Sequence, residues 1–219
     1  MPEQITPTHT RALGFGCGAV ALAVLLSLAS WIVHNAQSTD YATLAPEKRA
    51  GRLLRYSQEA YDVLGFTREV RPGTEAFGVG VGSAFSAGFC YDNGPLGVED
   101  KTVDGAYRLS HEWALDHVPE GQAVPGLRRL RWRLAEEGWK ISDYRAGGAG
   151  ADAELFVQRD GGDERMSFTW YADREYFDGG ASVPCAYVPG PRTDSVGSWD
   201  PDSALASLPA PVLGPSPAR

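Results

Sequence analysis

The chain has 219 residues, 43% of them hydrophobic and 22% charged, with 26 glycines, 15 prolines and three cysteines. This is enough for one ordinary domain plus additional segments, and it excludes a collagen-like repeat and a disulfide-dense miniprotein. A formal charge of -8 and a pI near 5.0 argue against a duplex-binding protein, which needs a basic surface to neutralise phosphate, so no nucleic-acid partner is expected.

Residues 1–11 precede an uncharged run, residues 12–33, that reads ALGFGCGAVALAVLLSLASWIV. At about 1.5 Å of rise per residue it can cross a hydrocarbon core of about 30 Å, so it predicts one N-terminal transmembrane helix lodged in the lipid bilayer. Ser27, Leu28 and Ala29 offer a small-x-small site for the competing reading, a cleaved signal peptide. The run continues through Trp31, Ile32 and Val33, which suits a retained anchor with an interfacial aromatic. Arg11 on one side, and Asp40 as the first formal charge on the other, favour a cytoplasmic N-terminus and an extracellular C-terminal domain of a single-pass membrane protein. Cys17 precedes most of the apolar run, so it does not sit where a lipidated cysteine would. Gly14 and Gly18 form a GxxxG pair suited to weak self-association of two such helices.

After a connector at residues 34–45, Pro46 and Glu47 suit a first helical turn. Ala50, Leu53, Leu54, Ser57, Ala60, Tyr61 and Leu64 then recur at helical spacing, with Arg49, Arg52, Arg55, Gln58, Glu59 and Asp62 on the opposite, solvated face. Short strands are expected at 77–85 and 89–91. From Tyr107 the pattern alternates: Tyr107, Leu109, His111, Trp113 and Leu115 lie on one face of a half-buried strand. Pro119 begins a turn or a helix entry, and Leu127, Leu130 and Leu134 mark a second helix that stops at Gly138. Further strands are expected at 139–145, 154–159 and 165–171, the last two joined through Asp160, Gly161, Gly162 and Asp163. A final hairpin is expected from Glu175 to Tyr187, turning at Asp178, Gly179 and Gly180. Residues 189–219 turn to Pro, Ser and Ala and read as a disordered tail. The exported domain is therefore 46–188. Sequential strands beside two helices predict an α+β fold, an antiparallel sheet of about four to six strands packed against both helices.

The order of an apolar anchor, a helix, a cysteine before a Tyr-rich strand, a helix ending in Leu-Arg-Arg-Leu-Arg-Trp-Arg-Leu-Ala-Glu-Glu-Gly-Trp and a late Val-Pro-Cys resembles the small membrane-anchored or lipid-anchored proteins of unknown function abundant in actinobacteria. The chain departs from the lipid-anchored members in lacking a usable lipobox. The resemblance implies a cell-envelope location, with no catalytic residue to carry over.

Cys90 and Cys185 are the cysteines outside the apolar run, and an exported domain meets an oxidising compartment, so a disulfide between them is expected. Loop-closure entropy assigns such a bridge on the order of 4 to 5 kcal/mol. Two buried thiols, or a redox-active or metal-binding role, are the alternatives. His111, on the apolar face of its strand, reads as a hydrogen-bonded core histidine, and His117 is too far along the chain to make a tight clip with it. No metal or cofactor is expected, and Gly78, Gly80 and Gly82 do not have phosphate-loop spacing. Asp160, Asp163 and Glu164 read as an acidic hairpin tip. No serine sits in a nucleophile elbow, so no catalytic residue is nominated and the protein is not expected to be an enzyme.

Arg128, Arg129, Arg131 and Arg133 cluster ahead of Glu136 and Glu137 on the second helix. The plain reading is a solvated helix face; the functional one is a patch for anionic lipid headgroups, an anionic polymer or an acidic protein. Together these features read as a non-enzymatic, membrane-anchored envelope protein whose exported domain binds a protein or an envelope component. The alternative is a carrier or sensor of a small apolar ligand, with a pocket lined by Trp113, Trp139, Phe168 and Trp170, and a hydrolase stands third.

Overall fold

The structure, a computed structural model, describes residues 41–73, 80–91, 102–190 and 200–216, together with Ser27. The chain divides into two compact units, residues 1–40 with 92–101, and residues 41–91 with 102–219. In the first unit Ser27 alone is described; it is helical and exposed. The rest of the expected span 12–33, with Cys17 and the Gly14 and Gly18 pair, lies outside the described residues, as does the start of the strand expected at 77–85. Among the described residues no helix is long and apolar enough to cross a membrane.

The second unit is α+β. Helix α1 (Pro46–Leu64) is followed by strands β1 (Gly82–Tyr91) and β2 (Thr102–Leu115), and helix α2 (Glu120–Glu136) by β3 (Lys140–Gly148), β4 (Ala151–Arg159), β5 (Glu164–Tyr171) and β6 (Tyr176–Tyr187). The six strands form one sheet in the order β1-β2-β6-β5-β4-β3, every neighbouring pair antiparallel. Strands β3 to β6 are a sequential meander, and the β1-β2 hairpin joins it along β6. Helix α1 packs on β2 and β6, and α2 packs on β3, β4 and β5 and against α1.

Local sequence accounts for most of this. Pro46 occupies the first turn of α1, and Gly65, at φ 78°, closes the helix in the left-handed region that Cβ-bearing residues avoid. The buried stripe of Ala50, Leu53, Ser57, Ala60, Tyr61 and Leu64 follows the helical period. In β2, Tyr107, Leu109, His111, Trp113 and Leu115 all point into the core, as alternation predicts. The core also holds an aromatic cluster in which Trp113 stacks on Phe177, 5.6 Å between centroids, and meets Tyr61 edge-on at 5.4 Å.

Four expectations need correction. Arg49 is not on the solvated face of α1: it is 5% exposed, with Nε and Nη2 unpartnered and its guanidinium 5.4 Å from the Tyr107 ring centre. The hairpin expected at Asp178, Gly179 and Gly180 is one continuous strand, β6, and the reversal lies earlier, between Tyr171 and Tyr176. Tertiary packing overrides the turn signal here, because Trp113 covers Gly179 so closely that a Cβ on it would lie 2.4 Å from the indole ring. The tail expected to be disordered from 189 is folded over residues 200–216. A short helical turn at Pro201–Leu205 packs beside β1 and β2, and Leu213 is fully buried and exchanges backbone hydrogen bonds with Val70 at 2.8 and 3.1 Å. Burial of Leu213, Ala204 and Pro201 supplies what the low apolar periodicity concealed, on the order of 2 kcal/mol for the leucine. Glu164 is not part of an exposed acidic tip. It is 2% exposed and bonded to Arg52, Arg159 and Tyr56, which ties α1 to the β4-β5 hairpin.

Candidate functional site

Both helices cover one face of the sheet. On the other face, β2, β6, β5, β4 and β3 line a groove of about 820 Å³. The strand registers place its residues in three rows across the sheet. Asp178 and Thr169 form one; Glu112, Gly180, Ser167, Phe156 and Asp143 form the middle one; Ser110, Ser182, Arg165 and Gln158 form the third. The floor thus mixes glycine, small hydroxyl-bearing side chains and Phe156, with Asp178 at one end, Glu112 and Asp143 in the middle row, and Arg165 and Gln158 at the other end.

Glu112 and Asp178 are half-buried, and neither forms an ion pair among the described residues. Ser86 Oγ donates to Glu112 Oε1 at 3.4 Å, and the Tyr171 hydroxyl donates to Asp178 Oδ2 at 3.2 Å. Burial raises both carboxyls above their ordinary range; the hydrogen bond from Ser86 opposes the rise at Glu112, and the Asp178 charge adds to it. Hydrogen bonds from Tyr171 and Thr169, and the charge of Arg174, hold Asp178 back in part. Two carboxylates in one low-dielectric groove make it an acceptor-rich, cation-attracting surface.

The histidine nearest the groove in sequence is turned away from it. His111 is fully buried on the helix side, where Nδ1 lies 2.7 Å from Ser57 Oγ and Nε2 lies 2.8 Å from Ser83 Oγ. Burial pushes its pKa down to about 4, so the imidazole is neutral at pH 7, donating through one nitrogen and accepting through the other. It joins α1, β1 and β2 as the core histidine that alternation predicts. His117 lies beyond the end of β2 and is exposed, 3.1 Å from Asp116. No group of three or more metal-ligating side chains occurs among the described residues.

The expected disulfide is present: Cys90 and Cys185 are bonded, with Cα atoms 6.0 Å apart. It links β1 to β6 across β2, beside the buried Ala106, where both ladders of β2 shift register and bring the outer strands together. The four arginines of α2 lie mid-helix, because the helix begins at Glu120. They serve separate neighbours. Arg129 donates from Nε and Nη2 to the carbonyls of Val63 and Leu64, capping the end of α1. Arg131 lies 4.6 Å from the centre of the Tyr144 ring and 5.3 Å from that of Trp132, Arg133 pairs with Glu137 at 2.6 Å, and Arg128 is exposed. Trp132 stands beside them 60% exposed. The aromatics considered as an apolar pocket, Trp113, Trp139, Phe168 and Trp170, are all buried in the main core.

Sequence reasoning missed the groove. Ser110, Glu112, Ser167, Thr169 and Ser182 alternate with apolar residues, and that period identifies a polar face without showing that it is concave. The chain matches no family model, no curated protein and no solved structure.

Proposed function

We propose that the chain is a non-enzymatic, single-pass membrane protein of the cell envelope, anchored by residues 12–33, whose extracellular domain binds a protein or another envelope component through the groove on the helix-free face of the sheet. The observation that carries this reading is the groove itself. An antiparallel sheet that turns hydroxyls, a carboxylate pair and an arginine toward one concavity, while its other face holds the main apolar core, has the form of a recognition surface. The disulfide is in keeping with an oxidising compartment. The arginines of α2, with Trp132, are a secondary surface for an anionic polymer or headgroup, and the bilayer is the partner of the anchor.

The reading is tested in cells by a photoreactive residue placed at Ser182, in the groove, and separately at Glu136, exposed on α2. A specific adduct from position 182 that is absent from position 136 is expected. No adduct from either position, or the same adducts from both, overturns the groove as the binding surface. Peptide mass spectrometry of the membrane fraction checks the anchor: residues 1–33 must remain attached to the disulfide-linked domain.

A further inference from the structure

We infer that the groove takes a short extended peptide, its ammonium group held between Glu112 and Asp178 and its carboxylate directed toward Arg165. This inference rests on the groove being the binding surface and adds the chemistry of the occupant.

The two carboxylates lie on adjacent strands, Glu112 opposite Gly180 and Asp178 two residues along β6. Each ionised carboxylate offers about four acceptor sites, and the single hydrogen bonds from Ser86 and Tyr171, with the contribution of Thr169 at Asp178, leave acceptors over. An ammonium group brings three donors and a full positive charge, which matches two neighbouring carboxylates that form no salt bridge among the described residues and of which only Asp178 has a nearby cation, Arg174, acting on it. A metal ion fits less well, since no third ligating carboxylate, histidine or cysteine joins them among the described residues.

The opposite end is a donor end. Arg165 donates from Nε to the Gly162 carbonyl at 2.6 Å, which fixes the guanidinium plane, and Gln158 stands across the ladder from it. A carboxylate is the group that a positioned guanidinium recognises best.

The spacing sets the length. Thr169, the partner of Asp178, is four residues from Arg165 along β5, about 13 Å at the usual strand rise. Three extended residues span about 10 Å before their charged termini are counted. The hydroxyls of Ser167, in the row of Glu112, and of Ser110 and Ser182, in the row of Arg165, can donate to peptide carbonyls or accept from peptide N–H groups. Gly180 keeps the middle of the floor low: a Cβ there would lie 3.3 Å from the His111 carbonyl and 3.8 Å from Ser167 Oγ. Asp178 and Glu112 toward one side and Arg165 toward the other follow the charge order of a zwitterionic peptide, with Ser167 in the row of Glu112 and Ser110 and Ser182 in the row of Arg165.

The test is a calorimetric titration of the full chain, in lipid nanodiscs, with trialanine, N-acetyl-trialanine and trialanine amide. Saturable binding of trialanine is expected, with each blocked peptide weaker by about tenfold, the effect of losing one charge-assisted contact. The double variant Glu112→Gln, Asp178→Asn should lose sensitivity to acetylation and keep sensitivity to amidation, and Arg165→Gln should do the reverse. Cooperative thermal melts no lower than that of the wild type establish that the variants fold. Equal affinity for free and acetylated peptide, or no saturation by any of the three, overturns the inference. If position 182 still captures an occupant in cells while trialanine does not bind, the peptide chemistry fails and the groove reading stands; if neither is seen, both fail.

Discussion

His111 makes the stability of this domain depend on pH in a window where few other groups titrate. In the unfolded chain its pKa is about 6.5, and in the fold burial lowers it to about 4. Above pH 6.5 both states hold a neutral imidazole and the residue contributes no pH dependence. As pH falls below 6.5 the unfolded state takes up a proton that the native state refuses, so stability is lost at about 1.4 kcal/mol per pH unit until the native ring protonates near pH 4. Across that window the slope amounts to a loss of about 3 kcal/mol, a large share of the stability of a domain this size. Glu112 and Asp178, whose pKa values are raised in the fold, act in the opposite sense and gain stability as they protonate, so the comparison must be made against a variant. Urea unfolding from pH 7 to 4.5, for the wild type and for His111→Gln, isolates the term. The wild type should lose stability relative to the variant with that slope, and NMR should show the ring staying neutral at pH 5.5. A ring that titrates near pH 6.5 in the native protein refutes the burial argument, and parallel pH profiles for the two proteins refute the linkage.

Replacing Cys90 and Cys185 together by Ala should cost about 4 to 5 kcal/mol in chemical denaturation, since the bridge closes a span of 95 residues; an unchanged midpoint would mean that the unfolded chain is not constrained by it. Gly179→Ala should destabilise by 2 kcal/mol or more, roughly, because the new Cβ has Trp113 at 2.4 Å and Phe168 at 3.0 Å, whereas Gly51→Ala, with open space on exposed α1, should stabilise by about 0.5 to 1 kcal/mol. Arg49→Met should raise the melting temperature, corresponding to about 1 kcal/mol or more, because it removes a buried guanidinium with unpartnered nitrogens and keeps an apolar stem against Tyr107; a lower melting temperature would reveal a partner that the geometry does not contain.

What could be read from the chain was set by periodicity, and what could not was set by contacts distant in sequence. The alternation from Tyr107 to Leu115 and the 3.6-residue stripe of α1 report burial directly, so β2, α1 and the core histidine were legible. Arg49 was not, since its place in the helical period is polar and its burial depends on packing against β2. Asp178, Gly179 and Gly180 carry every local mark of a turn, yet Trp113, more than sixty residues earlier in the chain, holds them extended. The cysteine pairing was legible from there being two cysteines outside the apolar run, while the shifts of register that bring β1 and β6 together were not. The groove belongs to the second kind: each polar residue in it is an ordinary outward residue of its own strand, and the concavity is a property of five strands together.

The strand order also fixes the sequence of events as the chain is made. Cys90 leaves the ribosome 95 residues ahead of Cys185, a wait of roughly 5 to 20 s at ordinary elongation rates. During that interval the β1-β2 hairpin has no neighbour on the side that β6 will occupy, and the thiol of Cys90 has no native partner. The meander of β3, β4 and β5 can assemble from contacts close in sequence, but the two halves of the sheet join only when β6 arrives. The last strand is therefore the keystone of the sheet: it joins the two halves, lays down the Asp178 side of the groove and delivers the second cysteine in a single step, leaving Ala204 and Leu213 to close the core after it.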